Sequence, residues 1–121
     1  MKTKPLFDFN RAEIQLVVDA MRLQIKGLSG FDKKLMETDY FKVINQGTMA
    51  ELDGMGMEHI TRSLRRKALM FTALYGSTKH IETKKIMYDL AAVVASRRIK
   101  FQQQHNPLNK KEASAGTANA S

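Results

Sequence analysis

Along most of the chain, apolar side chains recur at intervals of three and four, a spacing that lines one face of an α-helix and would scatter over both faces of a strand. The clearest run is Ile14, Val17, Val18, Met21, Ile25 and Leu28. Asn10 and Glu13 precede it at capping-box spacing, and Phe9 and Ile14 sit where a hydrophobic staple closes. A first helix is therefore expected from Arg11, ending at Gly27 to Gly30, residues that tolerate the left-handed backbone of a C-cap. A second is expected to open at Asp32, to bury Leu35, Met36, Tyr40, Val43 and Ile44, and to stop at Gly47. Thr48 and Glu51 repeat the capping spacing and predict a third start. Gly54 and Gly56 interrupt it, each about 1 kcal/mol worse than Ala inside a helix. The pattern predicts a break or kink over 53–56 and a longer helix from Met57, with Ile60, Leu64, Ala68, Phe71 and Leu74 or Tyr75 on its inner stripe and Gly76 at its end. Ser77 or Thr78 is expected to cap a last helix over 79–103 with Ile86, Met87, Leu90, Ala91, Val94 and Phe101 facing inward. Such a helix spans about 37 Å at about 1.5 Å per residue.

No segment alternates β-branched and polar residues, and no hairpin signal joins two such runs. The expectation is an all-α fold, an irregular bundle of four to five helices with antiparallel neighbours, since the polar connections are short. Residues 1–9 read as an N-terminal arm and 10–105 as a single helical domain. Residues 106–121, a Lys, Ala, Ser, Gly and Asn mixture, read as a disordered basic and polar tail. The last helix overhangs a domain of this size, and its overhang is a surface on which a second copy of the chain would pair.

Composition removes whole classes of chemistry. The chain has no cysteine, so disulfides, thiolate metal sites and thiol nucleophiles are excluded, which fits a reducing compartment and a cytoplasmic location. Pro5 and Asp8 interrupt the N-terminus before any apolar run, so no signal peptide is expected. The densest apolar stretches, 68–71 and 90–95, are far shorter than the roughly 20 residues of a membrane span. His59, His80 and His105 lack metal-ligand spacing and read as surface or helix-end histidines. Gly54-Met55-Gly56 follows no strand and is no dinucleotide loop, and neither a phosphate-binding loop nor a nucleophile elbow occurs. No catalytic residue, metal ligand or cofactor is assigned, and the expectation is a protein that is not an enzyme.

Charge changes the picture most. Of the formal net charge of +8, residues 1–60 carry eight cations against nine anions, and residues 61–121 carry twelve cations against three anions. That asymmetry favours an acidic partner, either nucleic acid or an acidic protein surface. Arg62, Arg65 and Arg66 fall opposite the apolar stripe of the third long helix, with Lys67 at the boundary. Lys84, Lys85, Arg97, Arg98 and Lys100 extend the candidate set along the last helix. Guanidinium groups at helical spacing suit phosphates because they donate in pairs and stay charged. The same residues also suit a solvated face, with Glu58 and Arg62 an ordinary i,i+4 pair.

Tyr75-Gly76-Ser77-Thr78 invites comparison with a helix-turn-helix, but the inward position of the second helix would fall on Glu82 or Lys85, so a plain αα-hairpin is expected. The chain has no Trp, and its Phe and Tyr residues fall mostly on apolar stripes, so no base-stacking platform is expected. Met49, Met55 and Met57 around the glycine break fill a core or, if exposed, offer an adaptable protein-binding surface.

The leading expectation is a non-enzymatic regulatory or accessory protein that binds nucleic acid or a nucleoprotein machine through its basic half. The alternatives are an inhibitor or adaptor that binds protein through a helix face, in the style of small phage or mobile-element proteins, and a structural subunit of an assembly.

Overall fold

The computed structural model describes residues 2–105. Among these residues the chain is all-α, with helices α1 (Arg11–Lys26), α2 (Gly30–Gln46), α3 (Gly54–Tyr75) and α4 (Ile81–His105), and a 3-10 turn at Gly47–Met49. The expected tail, 106–121, lies outside the described residues.

α1 begins where its cap predicts. The Glu13 amide donates to Asn10 Oδ1 and the Asn10 amide to Glu13 Oε1, both at 2.8 Å, satisfying two amides that the first turn leaves without helical partners. α2 starts two residues before Asp32. Ser29 stands at its N-cap without a side-chain hydrogen bond, and Asp32 lies in the first turn, where a carboxylate favours the positive end of the helix dipole.

The helical start expected at Thr48 does not continue into a helix. Only the turn Gly47–Met49 forms, because the chain beyond it is taken by a tertiary pairing. Ala50 and Leu52 are fully buried, and Leu52 exchanges both backbone hydrogen bonds with Thr3 of the arm, at 2.8 and 2.9 Å. α3 then opens at Gly54, with the Asp53 carboxylate accepting from the Gly56 amide at 2.8 Å. The two glycines thus belong to the first turn of α3 and do not break it. Gly56 sits in a tight place: a Cβ on it would stand 3.1 Å from two Leu52 side-chain carbons and 3.2 Å from Asp39 Oδ1, so those groups would have to give by a few tenths of an ångström.

α3 packs against α4 and α1, and α1 in turn packs against α2. Glu58, near the start of α3, pairs with Arg98, near the end of α4, whereas Thr72 near the end of α3 meets Lys84 near the start of α4, so these two helices run in opposite directions. The core is the expected stripe of α3 (Met57, Ile60, Leu64, Ala68) closed by Met21 of α1 and by Met87, Ala91 and Val94 of α4, none of them exposed. Leu6 of the arm is equally buried. Ile44 and Ile86, expected inside, lie outside, and so do both alternatives for the end of the α3 stripe, Leu74 and Tyr75. For Leu74 and Tyr75 the reason is local. Residues 72–82, the last turn of α3 and its connection to α4, are exposed throughout, so the inner stripe is left largely open there. No helix of the described residues is long and apolar enough to cross a membrane.

Candidate nucleic-acid interface

α3 separates its apolar and cationic residues by helical geometry alone. Ile60, Leu64 and Ala68 have no exposed surface, while Arg62, Arg65 and Arg66, offset from them around the 3.6-residue turn, are exposed. Glu58 is the single carboxylate of the described residues that reaches this group. Its Oε1 accepts from Arg62 Nε at 2.8 Å and its Oε2 meets Arg98 of α4 at 2.8 Å, so one anion is shared between two guanidinium groups. No described carboxylate is within ion-pair distance of Arg65, Arg66 or Lys67. Lys67 is half-buried. Its ammonium lies 5.9 Å from the centre of the Phe71 ring, and it borders a cleft of about 230 Å³ between α1 and α3 with Arg66, Leu23 and Met70.

The cations of α4 behave differently. Lys84 is buried, and its ammonium donates to Thr72 Oγ1 and to the carbonyls of Gly76 and Ser77, each at 3.2 Å. It therefore cannot serve as the docking residue that the charge pattern suggested, and instead fastens the α3–α4 connection. Arg97 is likewise engaged. Its guanidinium donates to Asp8 Oδ1 and Oδ2 at 2.8 and 2.7 Å and to the Pro5 carbonyl, and lies 4.8 Å from the centre of the Phe7 ring. This hydrogen-bonded guanidinium holds the Asp8 carboxyl below its ordinary pKa. The opening arm thus neutralises one arginine of the basic half. Lys85 and Lys100 remain exposed, and Lys100 borders a cleft of about 280 Å³ with Lys2, Lys4 and Phe7, a meeting of the arm with the end of α4 that no sequence spacing signals.

The three methionines divide. Met57 is buried in the core, while Met49 and Met55 are more than half exposed. His59 is not a surface histidine. Its Nδ1 stands 2.7 Å from Asp39 Oδ2, and both side chains are largely buried, which ties α3 to α2. Gly56 makes room for that carboxylate, and a glycine three residues before a histidine is too weak a signal to have revealed the pair. Ser63, one turn on, donates its hydroxyl hydrogen to the His59 carbonyl at 2.7 Å and so does not engage the imidazole. Among the described residues no group of three His, Asp or Glu side chains is placed to hold a metal ion.

The site thus reduces to the outer face of α3, Arg62, Arg65, Arg66 and Lys67, with Lys85 and Lys100 separately exposed on α4. Compared with known proteins, the chain matches no family model, no curated protein and no solved structure.

Proposed function

We propose that this chain is a non-enzymatic accessory protein, an irregular bundle with antiparallel neighbours, that docks on nucleic acid through the outer face of α3. The observation that carries this reading is the exposed Arg62, Arg65 and Arg66 row with Glu58 alone among the described carboxylates to balance it, mounted on a helix whose opposite face is locked in the core. A rigid helix fixes the backbone positions that carry the guanidinium groups, so meeting phosphates costs ordering of the side chains but not of the backbone. Cations already engaged by Asp8 or by backbone carbonyls add nothing to such a face. The docking set is accordingly smaller than the net charge suggests.

The test is a salt titration. The parent protein is expected to bind a DNA duplex with an affinity that falls steeply as salt rises, irrespective of sequence. Arg62→Ala, Arg65→Ala and Arg66→Ala together should lower the log-log salt slope by up to about 3, since each lost phosphate contact removes roughly 0.9. Absence of duplex and single-strand binding at low salt, or a slope indifferent to the triple substitution, refutes the proposal.

A further inference from the structure

The last turn of α3 and the connection to α4 gather three rings, Phe71 and Tyr75 one turn apart on α3 and His80 from the connection. Tyr75 and His80 have ring centres 4.8 Å apart, Phe71 and His80 5.4 Å, and Phe71 and Tyr75 5.8 Å, all inclined steeply to one another. Phe71 is partly covered by the core, whereas Tyr75 is 53% exposed and His80 is exposed. Water-facing aromatic rings gathered this way gain little from burial. The cluster is nonetheless held firmly.

Two devices hold it. Lys84, buried beneath the connection, collects the Gly76 and Ser77 carbonyls and the Thr72 hydroxyl on one ammonium. Gly76 (φ 90°) and His80 (φ 54°) both take the left-handed backbone, and His80 is the only described non-glycine residue that does so. That conformation costs a side-chain-bearing residue free energy, and it persists where the surrounding structure imposes it. Here it brings the imidazole against Tyr75. Two lysines border the cluster, Lys67 over Phe71 and Lys79 exposed next to His80, while the Lys84 ammonium is already taken up by the connection. No carboxylate of the described residues pairs with Lys67 or Lys79. Lys67 also links the cluster to Arg66, with which it borders the α1–α3 cleft.

An exposed aromatic group edged by cations is the chemistry that receives an unpaired nucleobase, whose π-face stacks on the ring while its phosphates meet the lysines. We infer that Tyr75 and His80 form a stacking site for unpaired bases of single-stranded nucleic acid, continuous through Lys67 with the arginine face of α3. The inference rests on the nucleic-acid reading above and narrows it to a substrate class. It departs from the expectation that the chain has no stacking platform, because His80 reaches Phe71 and Tyr75 only when the α3–α4 connection folds back.

The experiment compares the full chain and its variants on a labelled oligothymidylate and on a duplex of equal length, by fluorescence anisotropy at low salt. Tyr75→Ala should weaken single-strand binding on the order of 10-fold, the usual loss of one base-stacking contact, and leave duplex binding unchanged. Tyr75→Phe should retain most of the affinity. His80→Gly serves as the second variant, since glycine accepts the positive φ without strain: folding is kept while half of the platform is removed. Tyrosine emission, unobscured because the chain has no tryptophan, should be quenched by the single strand in the parent, and that quench should shrink in Tyr75→Phe. If Tyr75→Ala and His80→Gly bind the single strand as the parent does, the stacking site is refuted and the arginine face stands. If the parent binds neither oligonucleotide, both fall together.

Discussion

Two arginine pairs, Arg65–Arg66 and Arg97–Arg98, are indistinguishable as sequence, each an Arg-Arg step on a helix with apolar residues three and four positions away. The structure spends them differently. Arg65 and Arg66 project from the middle of α3 into solvent, beyond the reach of any described carboxylate. Arg97 holds Asp8 and the Pro5 carbonyl, and Arg98 shares Glu58 with Arg62. One pair leaves its positive field to the surroundings, and the other uses it to join the arm and α3 to α4. Net charge counts both pairs equally, so it overstates the docking capacity of a chain whose fold consumes part of its own charge.

The sharpest break between the inner and outer sides of α3 is expected at neighbouring residues. Leu64→Ala should cost about 2–5 kcal/mol in denaturant unfolding, since it opens a cavity in a core position with no exposed surface. A loss no larger than that of Arg65→Ala would show that the helix is turned differently. Next in size, Arg97→Ala with Arg98→Ala should lower Tm by several degrees while leaving duplex affinity nearly unchanged; the opposite outcome would return these residues to the docking face.

Acid should erase part of that difference. Arg97 holds the Asp8 carboxyl below its ordinary value, so the stabilisation is complete above the unfolded carboxyl's pKa of about 3.9 and is lost as pH falls through the depressed folded value. The Tm gap between the parent and Arg97→Ala is expected to narrow below about pH 4. A gap that stays constant with pH would mean Asp8 is not the partner that matters. The smallest effect belongs to Arg65→Ala with Arg66→Ala, which should change stability by no more than about 0.5 kcal/mol, as exposed substitutions without partners do, while weakening polyanion binding. Marked destabilisation would place these side chains in a contact.

The lower half of the α3–α4 hairpin was legible in advance because its residues obey one period. Met57, Ile60, Leu64 and Ala68 fall inside and Arg62, Arg65 and Arg66 outside, as 3.6 residues per turn demands. Periodicity was a poor guide where a helix outruns its neighbours. Leu74 and Tyr75 continue the stripe of α3, yet both are exposed, as is the whole of 72–82, and the same exposure turns two rings into a surface. The capping spacing of Thr48 and Glu51 was equally persuasive. Its helix did not form because Leu52 exchanged hydrogen bonds with Thr3, a residue far away along the chain.

By itself the sequence determined what depends on neighbours within a turn or two: the all-α class, the start of α1 at its Asn10 box, and the side of α3 on which its arginines stand. The tertiary structure alone decided what depends on how segments fold against one another, namely that Lys84 is buried, that Arg97 belongs to Asp8, that His59 meets Asp39, and that His80 turns back onto Phe71 and Tyr75. The physical reason is range. Helical spacing and capping act along the chain over one or two turns, whereas the fate of a charge or a ring is settled by whichever segment folds back against it.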